Sequence, residues 1–588
     1  MNQSIRHRTV LSLNWRLIKT APVGYLLWSL GTIGVSCLPI VLGLVEKRFF
    51  DTLSGAITPT LSITSLIAVI VGLGIGQLLL SLLAVWGDII FRYTNISKVS
   101  QNLVATQFQR PGAQSSNIPL GETLSRYRSD IGEITDFPLW LPYVLGYLIA
   151  FVIAVIVMVQ INLTITLVLV LPFLVMGVFS RLAWSRLLQA THQSSQANDQ
   201  TVGFLTHSLD ALQAIRIAAA EQSILGEFQR LSKQRAASAI RAYSYNELLQ
   251  SFNQSSIMLG TGLILGLAGL ALQRDQISLG DLTLFMSYLT LSSTLPSLIG
   301  SFIGDYQQQF VAISRLQELN PEHSADVIAN GPPTIQQADY QPLQQLELCN
   351  LSYQHNSQQG IFDINLRLPK GTKTVIIGRN GSGKTTLIRS LLGLLPAQQG
   401  HITWNGQVIE NPNTFFQPPM SSYTSQIPQL LSLSLQNNIL LGQENQQLDA
   451  IVQAAELKHD LNHLEQGLET MVGPRGVRLS GGQVQRTALA RMLAHPADLL
   501  VFDDHSSALD RHTEQKIWQH ISDHCEQHQS CCVFVSHQNN ILQQADQIVV
   551  LKAGRIEAIG KYHDLLQSSP EFQQLVLQTA QPHTNGVH

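Results

Sequence analysis

The first half of the chain alternates long apolar stretches with long polar ones. Residues 21–45, 61–90, 137–159, 163–179, 251–272 and 282–303 are each close to the ~20 apolar residues that carry a helix across a bilayer. They predict six membrane-spanning helices. Between the third and fourth lies only QINLT, too short for anything but a hairpin turn. The connections after the second and fourth stretches run to about 45 and 70 residues, and loops that long normally have structure of their own. Within them, LGETLSRYRSDIGEI (120–134) and residues 202–230 place apolar side chains at three- and four-residue spacing, which predicts amphipathic helices continuing out of the membrane. After 303 the chain runs into NPEHSADVIANGPPTIQQADYQ, polar and without periodicity, as at a domain boundary. From about residue 343 short β-branched runs alternate with helical patterns, predicting an α/β domain. The expected division is a membrane domain at 1–320, a linker at 321–342, an α/β domain at 343–580 and a tail at 581–588.

Composition agrees with a divided chain. With 588 residues, 45% hydrophobic and 13% charged, it is too long for one core and too apolar for an ordinary soluble enzyme. A formal net charge of −3 argues against a nucleic-acid partner. The apolar stretch after Ala21 is too long for a signal-peptide core and has no small-residue cleavage site. Arg6, Arg8, Arg16 and Lys19 precede the first stretch. The two long connections carry Arg92, Lys98, Arg110, Arg126 and Arg128, then Arg181, Arg186, Arg216, Arg230, Lys233, Arg235 and Arg241. Only Lys47, Arg48 and Arg274 lie near the opposite loops, so the positive-inside rule puts both termini in the cytoplasm. Cys37, Cys349, Cys525, Cys531 and Cys532 show no CxxC and no paired spacing, which argues against a disulfide framework and fits a reducing compartment.

Chemistry begins at TVIIGRNGSGKTT. An apolar strand (374–377) leads into Gly378, Arg379, Asn380, Gly381, Ser382, Gly383, Lys384, Thr385 and Thr386, followed by a helix. Glycines let the backbone wrap a phosphate and aim its N–H groups at it, and the helix N-terminus adds a positive dipole. Lys384 reaches the β- and γ-phosphates and Thr385 ligates magnesium, so the loop should bind a nucleoside triphosphate.

Further on, Leu479, Ser480, Gly481, Gly482 and Gln483 stand between that loop and the apolar strand LLVFD ending in Asp503. This order resembles the signature sequence and Walker B strand of ABC ATPases, and nearly the whole chain resembles an exporter-fold ABC half-transporter. GETLSR (121–126) resembles that family's first intracellular-loop motif, HSLDALQAIRIAAAE (207–221) the second, and ADQIVVLKAGRIEAIG (545–560) the end of its nucleotide-binding domain. The resemblance implies a six-helix all-α transmembrane domain with long cytoplasmic helical extensions, followed by an α/β P-loop ABC ATPase domain. It also implies that Tyr353 stacks on adenine, Gln426 senses the γ-phosphate and magnesium, Asp503 holds magnesium, His537 contacts the γ-phosphate and Asp510 is the D-loop aspartate. ATP and Mg2+ are the implied cofactors. Because Ser480 and its glycines would serve the nucleotide on another subunit's P-loop, a second half-transporter subunit is implied, in a bilayer that is expected to be a bacterial plasma membrane.

Two positions depart from the family pattern. Asp504 and His505 stand where the family has Glu-Pro, and that glutamate polarises the attacking water. Asp and Glu differ by only ~0.4 units in reference pKa, so basicity is nearly kept. Reach is not: aspartate is shorter by on the order of 1.5 Å, and a ~1 Å misplacement costs about a hundredfold. Slow hydrolysis at the Lys384 site is therefore expected. One reading is the weak-site subunit of a heterodimer, another a nucleotide-gated regulator, and the third, favoured because the other motifs are intact, a homodimeric pump. Pro474, where the family usually has glutamate, puts coupling between subunits in similar question. His520, His524 and His528 at four-residue spacing, with cysteines nearby, are of zinc-binding type but are read as a solvated polar helix face. Few acids lie in the spans, Asp88 and Glu46 being the evident ones, so a mostly apolar cavity for lipids, drugs or hydrophobic peptides is expected.

Overall fold

The computed structural model describes residues 3–57, 61–112, 118, 120–274, 276–319, 326–331, 340–356, 359–444, 447–473, 479–503 and 511–580. It forms two compact units, Met1–Gln107 with Ser116–Pro332, and Phe108–Ser115 with Pro333–His588.

In the first unit the described residues outside turns are helical. The six apolar stretches fall largely within the long helices Pro22–Leu53, Ile63–Phe108, Trp140–Ile161, Leu163–Asp210, Glu221–Gln273 and Leu279–Glu318. Among the described residues, Pro22–Leu53, Ile63–Phe108 and Gly121–Ile161 are long and apolar enough to cross a membrane, and Met258–Gln273 is a shorter apolar helix. The QINLT turn is tighter than a loop. Asn162 alone leaves helical geometry (φ −157°, ψ 110°), and its side chain accepts from the Ile165 N–H at 3.1 Å, capping the next helix. Ser278 and Asp281 cap Leu279–Glu318 reciprocally, which fixes where that helix starts.

Small residues set the helix crossings. A Cβ on Gly87 would stand 2.3 Å from the Trp28 N, and one on Gly31 would stand 2.6 Å from the Ala84 N, so Pro22–Leu53 and Ile63–Phe108 touch backbone to backbone. Pro22–Leu53 also packs on Leu279–Glu318, where the buried Tyr288 hydroxyl donates to the Ile40 carbonyl at 2.9 Å. Asp51, 1% exposed, accepts from the Gly280 N–H at 3.0 Å, and Lys47 pairs with Asp281 at 2.5 Å. Such pairing removes the cost of burying those groups.

Both amphipathic segments are helical but not uniform. Residues 120–136 pass through a π-helical turn at Arg126–Asp130, where buried Arg126 bonds Glu122 at 2.7 Å and Glu318 at 3.0 Å. The 202–230 stretch breaks into Leu163–Asp210, Leu212–Ile217 and Glu221–Gln273, with Ala219 in left-handed geometry (φ 48°) between the last two. Nothing in its apolar spacing marks that corner.

The second unit carries two sheets. β1 (Gln345–Asn356), β2 (Gln359–Pro369), β4 (Gln399–Trp404) and β5 (Gln407–Val408) form an antiparallel sheet in the order β2-β1-β4-β5. β3 (Lys373–Ile377), β6 (Ser421–Thr424), β7 (Leu499–Asp503), β8 (Cys531–Val535), β9 (Gln547–Lys552) and β10 (Arg555–Gly560) form the other, ordered β10-β9-β3-β8-β7-β6 and parallel except for β10. Its central strands are buried on both faces. Val375, Leu500 and Phe534 face one apolar cluster, while Ile376, Val501 and Val533 face the other. Continuous Val/Ile/Leu runs are the sequence signature of such strands.

The cysteine reading is corrected here. Cys525, near the end of the helix Arg511–His528, is disulfide-bonded to Cys532 in β8 across seven residues of sequence. A helix running antiparallel into its following strand brings the two together, a closeness that spacing alone conceals.

Candidate functional site

A parallel sheet presents its strand ends in a row, and loops at the carboxyl ends form the crevice where ligands bind. Ile376 of β3 stands beside Val535 of β8, Val535 beside Asp503 of β7, and Phe502 beside Thr424 of β6. The segments leaving those ends therefore line one edge: the 378–383 loop after β3, Gln426 two residues past β6, His537 two residues past β8, and Asp503 at the tip of β7. Sequence reasoning had four separate motifs, and the sheet register brings them together.

The loop is built by its glycines. Gly381 and Gly383 have φ of 79° and 102°, which side chains disfavour. A Cβ on Gly378 would stand 2.3 Å from the Leu551 carbonyl oxygen. Gly383 caps the helix Lys384–Leu391, whose first N–H groups point to the loop. Lys384 folds over it, its Nζ donating to the Gly378 carbonyl at 2.7 Å and the Arg379 carbonyl at 3.1 Å. Ser382 Oγ is buried and, among the described residues, has no hydrogen-bond partner. Thr385 Oγ1 donates to Asp503 Oδ1 at 3.2 Å, placing two hard oxygen ligands side by side. Asp503 is 1% exposed. This donor set, with the glycine cradle and the orphaned Ser382 hydroxyl, fits a triphosphate accompanied by magnesium.

Several contacts at the site were not foreseen. The Tyr423 hydroxyl, in β6, lies 3.4 Å from Asp503 Oδ2. Burial, and then the Asp503 charge, pushes its pKa up to about 12, so it stays a donor. Arg379 turns away from the loop, bonding Glu571 at 2.5 Å and Gln574 at 2.7 Å on the helix Pro570–Ala580. The Lys552 ammonium and the Arg379 guanidinium hold the Glu571 carboxyl below its usual range. Arg379 is thus left to serve a phosphate through its backbone. A tyrosine and a distant glutamate carry no motif; only their contacts reveal them.

Tyr353, in β1, is half-buried and meets the His355 ring edge-on at 4.8 Å. It is opposite Ile361 of β2, and the neighbouring Gly360 carbonyl lies 3.2 Å from where a Cβ of Gly383 would be. The hairpin therefore runs beside the phosphate loop. Ser480 caps the helix Gly481–Ala494 in a reciprocal box with Gln483, whose amide also donates to Asp460 at 3.1 Å. Ser480 and Gly481 are exposed, while Gly482 is half-buried. Asp504, His505, Asp510 and Pro474 lie outside the described residues.

In the histidine tract His528 is exposed and His520 and His524 are half-buried, as on a helix face open to solvent. His524 packs at 4.4 Å from the His528 ring, and burial followed by the His528 charge lowers its pKa to about 4. His520 Nε2 lies 3.5 Å from Glu456 Oε1. Among the described residues no group of three metal-ligating side chains is assembled.

Comparison with known proteins assigns the architecture. Residues 25–295 match the family model for the ABC transporter transmembrane region and residues 361–507 match that for the ABC transporter. The chain belongs to the ABC transporters. It is a fused, exporter-type half-transporter. ABC transporter B family member 1 of Dictyostelium discoideum is 31% identical over 300 residues, half of this chain and 32% of that protein. The pediocin PA-1 transport/processing ATP-binding protein PedD of Pediococcus acidilactici is 27% identical over 68% of this chain and 56% of its own length. The probable multidrug resistance ABC transporter ATP-binding/permease protein YheI of Bacillus subtilis (strain 168) is 26% identical over 69% of each. The chain spans about a third or less of the first three relatives it matches. The structure of a bacterial Atm1-family ABC exporter with ATP bound superimposes with a TM-score of 0.79 at 19% identity, covering 99% of this chain and all of the other, a likeness of fold.

Proposed function

We propose that this ABC transporter is an ATP-driven exporter of hydrophobic or amphipathic molecules, working as a dimer of half-transporters by alternating access. The observation that carries the reading is the convergence of the phosphate loop, Asp503, Gln426 and His537 at one sheet edge, in a chain that also holds apolar helices of membrane-crossing length. In this reading Gly378 to Thr386 bind the triphosphate, Tyr353 stacks on the base, and Thr385, Gln426 and Asp503 hold magnesium, which neutralises charge on the phosphates. His537 contacts the γ-phosphate and Asp504 orients the attacking water. Ser480 to Gln483 and Asp510 complete the partner's site. The exposed Ser480 end of a 14-residue helix, with its N–H groups outward, supports that last role.

The membrane domain is proposed to hold six spans within 1–320, joined through 321–342 to the ATPase domain at 343–580, with both termini on the cytoplasmic side of a bacterial plasma membrane. Helices of 46, 48 and 53 residues far exceed the ~20 needed to cross, which supports extensions beyond the bilayer. A homodimer is favoured by the completeness of the other motifs. Asp504 and His505 favour the second reading, a weak-site subunit of a heterodimer.

The test is magnesium-dependent ATP hydrolysis by the chain purified alone in lipid, beside D504N and D504E. Hydrolysis lost in D504N makes Asp504 the working carboxylate of a self-sufficient dimer. No hydrolysis in any of the three contradicts the homodimeric pump.

A further inference from the structure

The membrane domain is not apolar throughout. A cavity of about 460 Å³ opens among its helices, within the ~300–1,000 Å³ range of small-molecule sites. Asp88, Glu133, Asp136 and Asp305 line it, with Arg92 the one basic residue among the described residues of its lining. Arg92 is already engaged, bonding Asp88 at 2.9 Å and also Asp136. Asp305 accepts from the Trp140 indole N–H, and among the described residues neither it nor Glu133 is ion-paired with a lysine or arginine. Four carboxylates against one guanidinium leave an excess of three negative charges when all are ionised.

Acids alone would be a solvated cluster, but this cavity also has aromatic walls. Trp28, Phe137, Trp140 and Tyr143 line the same space. Trp28 is fixed by its indole N–H donating to the Leu139 carbonyl at 2.8 Å, and the Trp140 and Tyr143 rings meet edge-on at 5.8 Å. Fixed ring faces beside unneutralised carboxylates are the chemistry that recognises a cation with an apolar body. A second cavity of about 460 Å³ shares Trp140, Asp305 and Gln308 with the first and adds Thr191, Asn246 and Tyr243, giving room for a polar extension.

We propose that this cavity binds an organic cation of drug-like size, with Glu133 and Asp305 facing its charge and the Trp28 and Trp140 rings its apolar body, and that such cations are the substrate class. The size of the cavity favours a small lipophilic amine or quaternary cation over a peptide chain. The substrate assignment rests on the transporter reading; binding itself does not. The acids add charge to the mostly apolar cavity expected from the spans: Glu133, Asp136 and Asp305 lie just beyond the ends of the apolar stretches and line the same space.

The test uses the full chain in lipid nanodiscs without nucleotide. Calorimetry compares tetraphenylphosphonium with neutral triphenylphosphine oxide, after subtraction of empty nanodiscs. The cation should bind tighter by about tenfold or more, as expected for a charge facing two carboxylates, Asp305 half-buried and Glu133 exposed. E133Q/D305N should reduce cation binding to the level of the neutral compound and leave the latter unchanged; E133Q and D305N singly should give partial losses. Retained binding of the neutral compound shows that a variant is folded. Equal affinity for the two compounds in the wild type, or full cation affinity in the double variant, overturns the proposal. Because no nucleotide is present, cation binding by a chain that never hydrolyses ATP would uphold the site and sink the reading of the chain as a self-sufficient pump. Hydrolysis without cation preference would do the reverse.

Discussion

Lys384 is the residue whose removal most directly weakens the hold on phosphate. Its ammonium sits over the loop at Gly378 and Arg379, so K384A should lower ATP hydrolysis by about a hundredfold, as loss of a positioned electrostatic donor does. Tyr423 predicts a smaller effect. As a neutral donor to Asp503, its loss in Y423F should weaken magnesium activation of hydrolysis by about fivefold, the worth of one ordinary hydrogen bond. A titration of hydrolysis against magnesium concentration reads that shift. Restoring reach with D504E should raise the rate by about tenfold or more if position limits hydrolysis. At this scale the legible residues were those that a motif ties to chemistry. Tyr423 and the Arg379–Glu571 pair were not, because each depends on residues far apart in sequence meeting across the sheet.

Elements were legible where periodicity was strong. Apolar stretches located the long helices, and Thr374 to Ile377 marked the strand before the phosphate loop. Breaks set by tertiary packing were not legible, among them the π turn at Arg126 and the left-handed corner at Ala219. The helix Arg511–His528 carries two predictions. Closing a short loop, the Cys525–Cys532 bond should stabilise the ATPase unit by about 2 kcal/mol, so C525S should unfold at lower denaturant in circular dichroism of the whole chain. His524 is held near 4 against an ordinary 6.5, so the unfolded chain takes up its proton first as pH falls. Stability should therefore decline from about pH 6.5 toward about 4 and level off below, and H524Q should flatten that slope in thermal unfolding curves.

On the scale of the whole molecule, sequence order alone separated a membrane part from a phosphate-binding part. It did not show the acidic, aromatic-walled cavity, since Asp88, Glu133 and Asp305 lie on helical segments far apart in the chain. The central claim is that each ATP site draws its phosphate loop from one chain and Ser480 from another. The most direct measurement is ATP hydrolysis by a one-to-one coassembly of K384A and S480R, each inactive alone. Composite sites give every mixed dimer one intact site, predicting recovery of about a quarter of the wild-type rate by random pairing. If differently tagged chains copurify as mixed dimers and hydrolysis stays at the level of the single variants, composite sites are contradicted.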